Sequence, residues 1–67
     1  MERWNESLHT NAENQKVDAF LQEIAEVCKR HDMSIGHEDG HGAFIVEPYC
    51  PGNIEWLMCA HDDTRST

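Results

Sequence analysis

The chain has 67 residues, enough for one small domain that buries only about 60% of its unfolded surface. It carries 13 acidic against 5 basic residues, a net charge of −8 that works against binding to phosphate backbones or anionic lipid. No stretch approaches the roughly 20 apolar residues of a membrane span, and Met1 to Asn11 lacks the apolar run of a signal peptide.

Residues 1–10 read as a loose arm, with Trp4 and Leu8 spaced for at most one helical turn. An exposed Trp in such an arm is unusual, so Trp4 is expected to dock on the body or on a neighbouring subunit. Thr10-Asn11-Ala12-Glu13 then has the capping-box form, Thr at N-cap and Glu at N3. Val17, Phe20, Leu21, Ile24, Val27 and Cys28 follow as one stripe of 3.6-residue period, with charged and polar residues opposite. Lys29, Arg30 and His31 put positive charge where a helix C-terminus favours it. These signals predict a long amphipathic helix from about 11 to 31.

Two short strands are predicted next. Met33 to Glu38 alternates, and Gly42 to Glu47 contains the strand-forming run Ala-Phe-Ile-Val. Asp39-Gly40 between them is a strong two-residue hairpin signal. That turn sets Glu38 opposite His41, Ile35 opposite Phe44, and Met33 opposite Val46. Met33, Ile35, Phe44 and Val46 are the expected core face. The reverse face, Ser34, Gly36, Ala43 and Ile45, is small and is the expected surface for self-association. Pro48 closes the second strand. Pro51 and Asn53 suit the start of a short helix at about 52 to 61, and residues 62–67 form a polar tail. The fold class is α+β in the order α-β-β-α. A lone hairpin under one helix is marginal, so the fold is expected to be completed by a homo-oligomer, most simply a dimer.

His37-Glu38-Asp39-Gly40-His41 spells H-E-x-x-H, the zinc-protease pattern. That motif works on a helix, where both His share a face. Asp-Gly at the centre and glycines at 36 and 42 favour a hairpin tip instead. His37, Asp39, His41, Cys50, Cys59 and His61 are plausible ligand types, yet their spacing matches no zinc-finger pattern. The expectation is no metal, no cofactor and no catalysis. Cys28, Cys50 and Cys59 are odd in number with no C-x-x-C spacing, which suits reduced thiols and a cytoplasmic location.

The stretch "SIGHEDGHGAFIVEPYCPGNIEWL", with "DAFLQEIAEVCKRHDM" before it, resembles a group of small accessory proteins encoded by tailed bacteriophages. The resemblance covers about residues 18 to 58. It implies a phage gene, a host bacterial cytoplasm and no assigned activity. Small acidic phage proteins often bind stoichiometrically, so it also implies a non-enzymatic inhibitor of a host or defence protein. The expected partner has a basic surface, met by Glu38, Asp39, Glu47, Glu55, Asp62 and Asp63 with Tyr49 as an anchor. The alternative is a small-ligand binder that sequesters a nucleotide signal or a metal at the hairpin tip, through His37, His41 and Tyr49.

Overall fold

The computed structural model describes residues 1–38, 40 and 42–64. The class is α+β. The elements are β1 (Glu2–Asn5), β2 (Thr10–Glu13), α1 (Gln15–His31), β3 (Met33–His37), β4 (Phe44–Pro48) and α2 (Pro51–Met58). The expected α-β-β-α order is present but is preceded by an extra hairpin. β1 pairs antiparallel with β2, and β3 with β4, as two separate two-stranded sheets.

The first hairpin is made by local polar chemistry rather than by strand-forming residues. Asn5 Oδ1 accepts from the backbone N–H of Ser7 and of Leu8, both at 2.9 Å. This is the side-chain mimic of a backbone turn. His9 adopts a left-handed φ of 54° and its N–H returns to the Asn5 carbonyl at 2.9 Å. The expected capping box at Thr10 is therefore absorbed into β2. Asn14 caps α1 instead, its Oδ1 accepting from Lys16 N–H at 3.1 Å and Val17 N–H at 3.3 Å. At the other end Asp32 turns left-handed, φ 55°, and its N–H caps the Lys29 carbonyl.

The apolar stripe of α1 is only partly covered. Leu21 and Cys28 are buried, Val17 and Ile24 are half-buried, and Phe20 and Val27 are exposed. Leu21 and Cys28 are the buried apolar residues among those described. None of the described helices is long and apolar enough to cross a membrane.

β3 and β4 pair two residues further out than the Asp-Gly turn predicts. Ile35 faces Val46, Met33 faces Pro48, and His37 faces Phe44. The loop closes from Glu38 to Ala43 (Glu38 N–H to Ala43 O, 2.8 Å) and from Gly42 N–H to Glu38 O (2.9 Å). Gly42 supplies the left-handed φ of 68° that this longer loop needs. A shift of two keeps every side chain on its face. The faces themselves are reversed relative to the core. Ser34 is 1% exposed and Gly36 is buried, so the β3 half of the expected self-association surface is covered by the chain itself, while Ala43 and Ile45 stay exposed. Met33, Ile35, Phe44 and Val46, the expected core, are exposed, Phe44 and Val46 by 79% and 71%.

The reversal has a polar cause. Ser34 Oγ donates to the Pro48 carbonyl at 2.9 Å and accepts from Asn53 Nδ2 at 3.0 Å, tying α2 to this side of the hairpin. The Glu47 carboxylate lies where a Cβ on residue 36 would sit, so the missing side chain of Gly36 admits it. A small face thus lets helix and strand approach closely, and the bulky face is left outward.

Candidate functional site

Where the outward face of the hairpin meets α2 there is an open groove of about 520 Å³, lined among others by Ile35, His37, Phe44, Trp56, Leu57 and His61. The His37 ring packs edge-on against Phe44 (centroids 5.4 Å, 72°) and against Trp56 (6.0 Å, 84°). Trp56 is half in solvent. At the far wall His61 Nδ1 pairs with Glu6 Oε1 at 2.9 Å. That hydrogen bond holds the Glu6 carboxyl below its usual range.

The acidic candidates lie elsewhere. Glu47 faces the Ser34/Gly36 side of the sheet, and Glu38 follows β3 on the same alternation. Glu55 on α2 and Asp63 are exposed, but Asp62, expected on the acidic surface, is 2% exposed because its carboxylate is taken up by hydrogen bonds from Asn14 and Thr64. Tyr49 is half-buried, and its N–H donates to the Asp32 carbonyl at 3.1 Å. Asp39 and His41 lie outside the described residues. Ala43 and Ile45 are exposed beside the buried Ser34 and Gly36. Along the outward face, Met33, Ile35, His37, Phe44, Val46 and Pro48 include no Asp, Glu, Lys or Arg. Among its described strand residues the hairpin therefore separates a side that carries Glu47 from a side without Asp, Glu, Lys or Arg.

His37 ends a strand, so His37 and Glu38 point to opposite faces and the H-E-x-x-H spelling does not lie on a helix. Among the described residues no three His, Cys, Asp or Glu side chains gather as a metal cluster.

A buried polar lock joins the ends of the described chain. Arg3, its side chain 1% exposed, donates through Nη1 to the carbonyls of Met58 (2.8 Å) and Ala60 (2.9 Å). Positive charge there complements the C-terminal end of α2. Arg3 Nη2 meets Asp18 Oδ1 at 2.6 Å, and the Met1 ammonium meets Asp18 Oδ2 at 3.0 Å and Glu13 Oε1 at 3.1 Å. The Arg3 hydrogen bond, then that of the ammonium, lowers the Asp18 carboxyl, while Asp18 and then Glu13 raise the ammonium. Asp62, 2% exposed, forms a parallel bridge with Asn5 through Asp62 N–H to Trp4 O (2.8 Å) and Glu6 N–H to Asp62 O (2.9 Å). Its carboxylate accepts from Thr64 Oγ1 (2.6 Å), Thr64 N–H (2.9 Å) and Asn14 Nδ2 (2.9 Å), which lowers its pKa. Sequence reading missed this lock. Trp4 in a supposedly loose arm is the one signal that pointed toward it.

Compared with protein-family models, with curated proteins and with solved structures, the chain matches none.

Proposed function

We propose that the chain is a non-enzymatic, phage-encoded protein that inhibits a host or defence protein in the bacterial cytoplasm by binding a basic surface, and that it does so as a homodimer. The observation that carries this reading is the net charge of −8, sharpened by the fate of Arg3. One of only 5 cationic residues is withdrawn from the surface into the polar lock, while Glu38, Glu47 and Glu55 stay exposed. Opposed fields of this kind speed encounter and suppress wrong partners. A pull-down from infected cells, read by native mass spectrometry, tests it. A basic protein bound in fixed stoichiometry is the expected result.

The second reading, a small-ligand binder that sequesters a nucleotide signal, is favoured by the groove between Phe44, His37 and Trp56. Exposed aromatic edges and faces suit stacking on a planar base. Recovery of a small mass alone with the chain would establish this reading in place of the first.

A further inference from the structure

We infer that the charge-free face of the second hairpin, Met33, Ile35, Phe44 and Val46, is the seat of a second copy of this chain. The inference specifies the dimer of the functional reading above and rests on it only for the oligomeric state.

Area is the first argument. A folded monomer of 67 residues exposes about 4,300 Å² by the scaling of surface with mass. This chain exposes 5128 Å². The surplus of about 800 Å² is what each partner contributes to a standard protein interface. Its radius of gyration, 12.8 Å, likewise exceeds the roughly 11 Å expected for a closed domain of this length. Monomers rarely leave contiguous apolar patches beyond about 300–600 Å² uncovered.

Charge decides the occupant. Two copies with a net charge of −8 each repel wherever their carboxylates meet. Among the described residues of β3 and β4, the outward face has no carboxylate to set against its own image. A basic partner has nothing to pair with there and is drawn to the other side of the sheet. The thin core adds a third argument. With Leu21 and Cys28 as the buried apolar residues among those described, so short a chain needs a staple. A second copy is always present in equal amount. Two such faces meeting across a two-fold axis form a sandwich of two sheets about 10 Å apart, with Phe44 and Val46 interleaved.

The test is sedimentation of the full chain over a wide concentration range, combined with peptide-mapped peroxide oxidation. A dimer is expected, with Met33 oxidised severalfold more slowly in concentrated than in dilute protein and Met1 unchanged. The double variant Phe44→Lys/Val46→Lys is expected to sediment as a monomer, whereas Ile45→Lys on the other side remains a dimer. Should the double variant unfold, the wild-type Met33 measurement still decides. A monomer at every concentration overturns both the dimer and this face. A dimer in which Met33 oxidises as fast as in dilute solution overturns the face alone and leaves the dimer standing.

Discussion

Arg3 and Asp18 meet at 2.6 Å across the seam between β1 and α1, and the Arg3 side chain is almost wholly sealed from water. Its Nε is buried without a hydrogen-bond partner among the described residues, so the guanidinium is held by its two terminal nitrogens. Removing it leaves the carbonyls of Met58 and Ala60 without their donor. We expect Arg3→Ala to destabilise by about 3 kcal/mol. Arg3→Lys should recover only part of this, because a point charge cannot serve both carbonyls and Asp18 at once. Chemical denaturation of the three proteins measures it, and an unchanged midpoint in Arg3→Ala would refute the lock.

Stability should pass through a maximum with pH. Asp18, Asp62 and Glu6 have lowered folded pKa values. Their contribution is therefore complete above the ordinary carboxyl range, near 4, and is lost as pH falls through the lowered values. The Met1 ammonium is raised, so its contribution is complete below about 8 and is lost as pH rises through the raised value. N-terminal acetylation should flatten the alkaline limb, and Asp62→Asn the acid limb. Thermal melts across pH read both. An alkaline limb that survives acetylation would count against the ammonium.

Asn14→Asp should destabilise α1, although Asp is ordinarily as good an N-cap as Asn. The cap would survive, but the Nδ2 donor to Asp62 would become a second carboxylate 2.9 Å from the first. Thr10→Ala should change stability by less than about 0.5 kcal/mol, since Thr10 lies in β2 and caps no helix. The opposite ranking in melting temperature would restore the capping box read from sequence.

The acidic-surface reading predicts an effect on rate. Glu47→Lys with Glu55→Lys should slow association with the isolated partner severalfold and flatten its salt dependence, screening acting over about 8 Å at physiological ionic strength. Stopped-flow mixing at several salt concentrations measures this, with melting recorded alongside. An association rate indifferent to salt in the wild type would exclude steering by these carboxylates.

The chain from α1 onward was the more legible. Leu21, Ile24 and Cys28 announced α1 through their period, and Ala43 to Val46 announced β4 through β-branched and aromatic residues. Which face of the hairpin would be covered was not legible. Hydrophobicity favours Met33, Ile35, Phe44 and Val46 for the core, but the outcome followed from Asn53 reaching Ser34 and from the room that Gly36 leaves. Neither has a periodic signature. The first hairpin was missed because Glu2–Asn5 and Thr10–Glu13 have little strand propensity and depend on Asn5 closing the turn. Of the candidate site residues, alternation alone placed Glu38 and Glu47 on one side. The aromatic groove needed α2 to set Trp56 beside His37, a contact between residues 19 positions apart in sequence that no local pattern encodes.

The bridge between Asn5 and Asp62 also fixes an order of assembly. β1 and β2 can pair as soon as they are synthesised, and so can β3 and β4. Arg3, however, waits for Met58 and Ala60, 55 and 57 positions further on. Closing so long a loop is slow, and synthesis adds only about 5–20 residues per second. Until residues 58 to 62 have left the ribosome, Arg3 can meet Asp18 but not the carbonyls of Met58 and Ala60, and β1 lacks its bridge to Asp62.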